Sequence, residues 1–80
     1  MDRRYGQSHY TSKRVIGIQE GYEGYELTQV EDGETRRVAR VVFWDAGGRF
    51  YLETFDAAVS IPLEILEELI AETKENVKYK

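Results

Sequence analysis

The stretch Arg37–Phe55, "RVARVVFWDAGGRFYLETF", decides how the chain folds. β-Branched and aromatic residues lie on both sides of Asp45-Ala46-Gly47-Gly48, which reads as two strands joined by a short loop. With Asp45–Gly48 as the loop, Trp44 opposes Arg49, Phe43 opposes Phe50, Val42 opposes Tyr51, Val41 opposes Leu52 and Arg40 opposes Glu53; a two-residue Gly47-Gly48 turn would shift these pairs by two without changing which residues share a face. Side chains alternate across a strand, so each parity shares a face. One face collects Ala39, Val41, Phe43, Phe50, Leu52 and Thr54 and is apolar enough to need covering. The other collects Arg36, Val38, Arg40, Val42, Trp44, Arg49, Tyr51, Glu53 and Phe55, a mixture of aromatics and arginines.

Upstream, the "EDGE" at Glu31–Glu34 places Asp-Gly where a two-residue type I′ hairpin turn needs positive φ angles. If Asp32 and Gly33 form the turn, Glu31 faces Glu34, and the register pairs Leu27 with Val38, Gln29 with Arg36 and Tyr25 with Arg40. "YELTQVE" is then the second strand and "KRVIGIQ" the first, joined through the glycine-punctuated "EGYEG". Glu20, Glu23 and Glu26 there lack the Asp/Asn pattern of a calcium loop, so a solvated turn is the simpler reading. Residues 1–12 are polar and aperiodic, the composition of a flexible arm.

Downstream, "SIPLEILEELIAETKENVKYK" is the one helical segment. Ser60 is placed to cap, and Pro62 sits where a missing amide costs nothing. Ile65, Leu66, Leu69, Ile70, Thr73 and Val77 recur at helical spacing. Glutamates crowd the first half, while Lys74, Lys78 and Lys80 occupy the end, the favourable sense for the helix dipole. The expected fold is α+β: a flexible arm over 1–12, then a single ββββα domain over 13–80 with a curved four-stranded antiparallel sheet and one C-terminal helix.

Eighty residues make one domain with a small core, which a partner chain often supplements. The composition, 41% apolar and 32% charged, is globular rather than disordered. The chain contains no cysteine, which removes disulfides and thiolate chemistry and fits the cytoplasm as default location. No apolar run is long enough to span a bilayer, and the N-terminal residues do not resemble a secretory signal. Net charge is −4, with acidity concentrated after residue 44: residues 45–80 carry four basic and eight acidic side chains, whereas residues 1–44 carry seven of each. That balance argues against nonspecific duplex binding, which depends on phosphate neutralisation.

No residue pattern specifies catalysis. His9, the one histidine, falls in the expected arm, "DAGG" joins two strands rather than opening a helix, and the helix glutamates read as a solvated face. The expectation is a non-enzymatic binding module without cofactor or metal. Its candidate binding residues are Tyr25, Arg36, Arg40, Trp44, Arg49 and Tyr51. Bases can stack on Trp44 or Tyr51 for roughly 1–3 kcal/mol each while arginines follow phosphates, which is single-stranded nucleic-acid chemistry. The same residue types make ordinary cross-strand pairs, and they are also enriched at protein interfaces. The leading expectation for this face is single-stranded nucleic-acid binding, and the alternative is a protein-interaction or small-ligand module without nucleic-acid activity. Apolar helix positions continuing to Val77 point to a homodimer or higher oligomer.

The run "RVVFWDAGGRFYLETF…AVSIPLEILEELI" resembles the C-terminal domain of the positive-cofactor-four family of transcriptional coactivators. Phe43, Trp44, Tyr51, Leu52 and Glu53 match its strand positions, and Ser60, Ile61, Leu63, Glu64 and Leu66 match the start of its helix. The resemblance covers roughly half the chain. It implies four strands and a helix, dimerisation, and single-stranded DNA binding on a curved sheet, with Trp44, Tyr51 and Arg40 as stacking and phosphate-contact residues.

Overall fold

The computed structural model describes residues 1–56 and 59–77. Five strands precede one helix: β1 (Asp2–Tyr5), β2 (Ser8–Gly17), β3 (Tyr22–Glu31), β4 (Glu34–Trp44), β5 (Arg49–Thr54) and α1 (Leu63–Asn76). The strands form one antiparallel meander in the order β1-β2-β3-β4-β5. The α+β class and the antiparallel sheet are as expected, but there are five strands rather than four. The additional strand lies within residues 1–12, expected to be an arm: β1 pairs Asp2 with Thr11 and Tyr5 with Ser8, and β2 begins at Ser8. The turn between them is Gly6-Gln7. Gly6 sits at φ 63°, the one positive φ of the two, as a type II′ hairpin requires at its first central residue.

Both turns read from the sequence form with the expected register. Asp32 (φ 52°) and Gly33 (φ 76°) take the positive φ angles of a type I′ turn, and Glu31 opposes Glu34. Asp45–Gly48 closes β4 onto β5 with Trp44 opposite Arg49, Val42 opposite Tyr51 and Arg40 opposite Glu53.

Between β3 and β4 the register changes partway along. Gln29 opposes Arg36 as expected, and Thr28 opposes Arg37, but Leu27 opposes Ala39 and Tyr25 opposes Val41. Val38 is thus the extra residue of a β-bulge. The pairings Leu27–Val38 and Tyr25–Arg40 do not form, because one inserted residue shifts every partner beyond it. Val38 and Ala39 are consequently both buried although adjacent in the strand.

The helix covers one face. Ile65, Leu69 and Thr73 are its buried positions, and they join Tyr10, Leu27, Val38 and Val41, with Met1, Tyr25, Phe50, Val59, Ile61 and Ile70 packed around them. A fully buried aliphatic side chain in such a core contributes roughly 1.5–3 kcal/mol. The Thr73 hydroxyl avoids an unpaired burial by donating to the Leu69 carbonyl at 2.8 Å. Pro62, not Ser60, is the N-cap residue; no side chain caps the helix, and the Pro62 carbonyl accepts from Ile65 and Leu66 at 3.1 Å. Val77 is buried in the chain's own core, so it does not extend beyond the sheet as the sequence suggested. Lys78 and Lys80 lie outside the described residues. The N-terminal ammonium donates to Ser12 Oγ at 2.6 Å and to Glu72 at 2.8 Å, and Arg3 pairs with Glu68, tying β1 and β2 to the helix.

Candidate interaction surface

The sheet face turned away from the helix is built from every second residue of each strand. The ladders place Asp2 and Arg4 of β1, Lys13 of β2, Tyr22, Glu26 and Thr28 of β3, Arg37, Arg40, Val42 and Trp44 of β4, and Arg49, Tyr51 and Glu53 of β5 on it. Of the expected site residues, Arg40, Trp44, Arg49 and Tyr51 are there. Tyr25 and Arg36 are not. Tyr25 opposes Val41 and packs against the core on the helix side. Arg36, before the bulge, sits on that same side, beside Ser8, Tyr10, Gln29 and Pro62, and pairs with Glu34 at 3.2 Å.

The bulge brings Arg37 to the outer face instead, and with it a continuous stack. Trp44 packs on Tyr22 with ring centroids 5.0 Å apart. The Arg40 guanidinium lies 4.4 Å from the Tyr22 ring and 5.8 Å from that of Phe55, and Arg37 lies 4.2 Å over Phe55. From Tyr22 through Arg40 and Phe55 to Arg37, aromatic and guanidinium groups alternate, a geometry favourable to each cation–ring contact. Beneath it Val42 is fully buried although it points away from the helix.

Each stacked cation also has a carboxylate. Arg40 Nε donates to Glu53 Oε1 at 2.6 Å, and Trp44 Nε1 donates to Glu53 Oε2 at 3.0 Å, so one side chain holds both. Burial works against the Arg40 charge, but hydrogen bonds to Glu53 and Tyr22 outweigh it and raise the guanidinium pKa above its ordinary value. Arg37 Nε donates to Glu26 Oε1 at 2.9 Å, and Lys13 Nζ lies 3.7 Å from Glu26 Oε2. Glu26 is only 3% exposed, so this carboxylate is held in place by two flanking cations. At the β1 corner His9 meets Asp2 at 2.6 Å, and this hydrogen bond lowers the Asp2 pKa. By position, the face carries Arg4, Lys13, Arg37, Arg40 and Arg49 against Asp2, Glu26 and Glu53, a modest basic excess in a chain of net charge −4. The helix carries Glu64, Glu67, Glu68, Glu72 and Glu75 against Lys74.

Tyr22, Glu26, Lys13 and Arg37 are the functional-face residues that sequence reasoning missed. No local signal marked them, because the adjacent apolar pair Val38-Ala39 does not stand out in a strand that also carries the apolar run Val41–Trp44. Among the described residues no group of three or more His, Cys, Asp or Glu side chains is placed to hold a metal ion. Glu23 pairs with Arg14, on the helix side, and Glu26 with Arg37 and Lys13, so Glu23 and Glu26 of "EGYEGYE" are engaged separately. No described helix is long and apolar enough to cross a membrane. Comparison with protein-family models, curated proteins and solved structures finds no match to this chain.

Proposed function

We propose that the chain is a non-enzymatic protein-interaction module whose contacts are made by the outer sheet face and the strand that borders it. The observation that carries this reading is the pairing of Arg37 with Glu26 and of Arg40 with Glu53 within the chain. A phosphate would have to displace a charge-assisted hydrogen bond already made, which removes most of the gain that nucleic-acid binders draw from arginine. A protein surface has no such requirement. It can bury the half-exposed Tyr51 and Phe55 and leave both ion pairs intact at the rim.

Single-stranded nucleic-acid binding is the second reading, favoured by the aromatic–guanidinium stack and by the basic excess on this face. Titration with labelled single-stranded oligonucleotides at low and moderate salt, followed by Trp44 fluorescence, separates the two. The protein-interaction reading expects no quenching even at low salt. Salt-sensitive quenching that is lost in Arg40→Ala, with binding read from the anisotropy of the labelled oligonucleotide lost in Trp44→Ala, overturns it in favour of nucleic acid.

A further inference from the structure

The two edges of the sheet differ. β1 is a four-residue edge of Asp2, Arg3, Arg4 and Tyr5, short and charged as edges that avoid pairing are. β5 is longer, "RFYLET", and among the described residues it pairs only with β4. It bears two of the largest exposed hydrophobics of the sheet, Tyr51 at 44% and Leu52 at 48%, one on each face. The Phe55 amide donates to the Val38 carbonyl at 3.1 Å. By strand alternation Glu53 and Tyr51 also bond toward β4, and the amides and carbonyls of Leu52 and Thr54 turn outward.

We propose that a second copy of this chain docks antiparallel on the outer edge of β5, with the twofold axis at Tyr51; this names the partner within the protein-interaction reading and rests on it. A strand that pairs with itself must be complementary to its own reverse, and β5 is. In this register Tyr51 opposes itself, Arg49 opposes Glu53 of the second copy, and Phe50 opposes Leu52 of the second copy. Both charge pairs lie on the outer face, and both apolar pairs lie on the helix face. Opposite charges and large apolar side chains directly across an antiparallel pair are each stabilising, and twofold symmetry makes each contact twice. Of the neighbouring in-phase registers, the one centred on Leu52 sets Tyr51 against Glu53 and Phe50 against Thr54, and the one centred on Phe50 sets Arg49 against Tyr51 and Glu53 against Gly47, so neither gives Arg49 a carboxylate. The selected pairing joins two sheets into one of ten strands. Its outer face carries both aromatic–guanidinium stacks, and the two helices lie on the other side.

Tyr51 bonds toward β4, so across the twofold axis it forms a non-hydrogen-bonded pair, whose Cα separation of about 4.5 Å lies within disulfide range. The full chain contains no other thiol. Sedimentation equilibrium from micromolar to millimolar concentration should give twice the 9.3 kDa chain mass at the upper end. Arg49→Glu places like charges at both symmetric positions and should weaken association roughly tenfold or more with unchanged circular dichroism. Under mild oxidation Tyr51→Cys should form a covalent dimer, whereas Arg4→Cys on the opposite edge should not. A native chain that stays at 9.3 kDa throughout overturns the inference. So does a dimer that Arg49→Glu leaves intact and Tyr51→Cys does not trap. Salt-sensitive oligonucleotide binding would instead overturn the protein-interaction reading, whatever the mass, so the two failures are distinguishable.

Discussion

Replacing Gly24 with alanine sets two principles against each other with opposite signs. Glycine within a strand loses more conformational freedom on folding than alanine, so propensity alone predicts that Gly24→Ala stabilises by about 0.5–1 kcal/mol. Gly24 lies in β3 directly opposite Val42. A Cβ added there would meet the Val41 carbonyl oxygen at 2.0 Å, the Val42 Cα at 2.6 Å and the Val42 Cγ1 at 2.8 Å. Two of those atoms are backbone, so no rotamer change relieves the contact, and β3 and β4 must separate locally. Val42 is fully buried, which leaves its side chain little room to retreat. Overpacking of this kind costs about 1–3 kcal/mol, which exceeds the propensity gain. A domain of this size has a stability of the order of 5–10 kcal/mol. Net of the propensity gain the loss is about 0.5–2 kcal/mol, so with a urea m-value near 1 kcal/mol/M the midpoint should fall by roughly 0.5–2 M with the slope unchanged. Equilibrium urea unfolding followed by Trp44 fluorescence measures this, since Trp44 neighbours Val42 along β4. An unchanged or raised midpoint would show that propensity governs this position and that the close approach of β3 and β4 carries no energetic weight.

Four further outcomes follow from the same geometry. Leu69→Ala, at a fully buried helix position, should cost about 2–5 kcal/mol by urea unfolding; a loss under 1 kcal/mol would mean that the helix does not cover the core. Arg37→Ala should destabilise more than Glu26→Gln, because the first strands a carboxylate side chain only 4% exposed while the second leaves a guanidinium 60% exposed to water; the reverse order in unfolding midpoints refutes the pairing. The double variant Glu26→Gln/Glu53→Gln releases Arg37 and Arg40 and should bind oligonucleotides more tightly than the native chain and in a salt-sensitive way; equal behaviour of the two proteins would show that the carboxylates do not govern phosphate access. Tyr5 faces Glu64, whose negative charge and hydrogen bond raise the phenol pKa above 10.0. The stabilisation is therefore fully present below pH 10 and is lost as pH rises through the folded value. Ring-proton NMR should place the Tyr5 midpoint above 10 in the native chain and lower it in Glu64→Gln.

Local chemistry was legible from the sequence wherever one or two residues decide it. Asp32-Gly33 set its hairpin because the turn conformation depends on those residues alone, and the β4–β5 faces were legible because a two- or four-residue loop leaves the same parity, whereas the register itself stayed open between the two loop lengths until the structure placed Trp44 opposite Arg49. The helix stripe was legible because Ile65, Leu69 and Thr73 share a face at any helical phase. β1 escaped because a charged edge strand shows no hydrophobic alternation; only the Gly6-Gln7 turn marked it. The bulge at Val38 escaped for another reason. A register read outward from a turn assumes one residue against one, and nothing local to Val38 breaks that assumption, since both valine and alanine suit an extended chain. Its cause is tertiary: Val38 and Ala39 are both taken into the buried core. Four of the six expected site residues lie on the outer face because their positions depend only on β4–β5 parity beyond the bulge. Tyr25 and Arg36 were misplaced because theirs depends on carrying the β3–β4 register across it.

That same inserted residue fixes the chemistry of the outer face. In a ladder without the bulge, Arg36 and Arg40 would share a face with Tyr25, while Arg37 would sit with Ala39 on the helix side. Glu26 would be left opposite Ala39. The shift brings Glu26 opposite Arg40 while Thr28 stays opposite Arg37, so a nearly buried carboxylate ends up between two β4 cations. Arg37 takes that carboxylate, and Arg40, drawn toward β5, takes Glu53. A face that composition alone would assign to phosphate recognition thus has its central cations neutralised by the fold itself. Arg49, at the β5 end of this face, has no carboxylate among the ion pairs of the described residues. Antiparallel self-pairing of β5 is the arrangement that supplies one, which is why Arg49→Glu, rather than a substitution within the stack, is the variant that should separate the two copies.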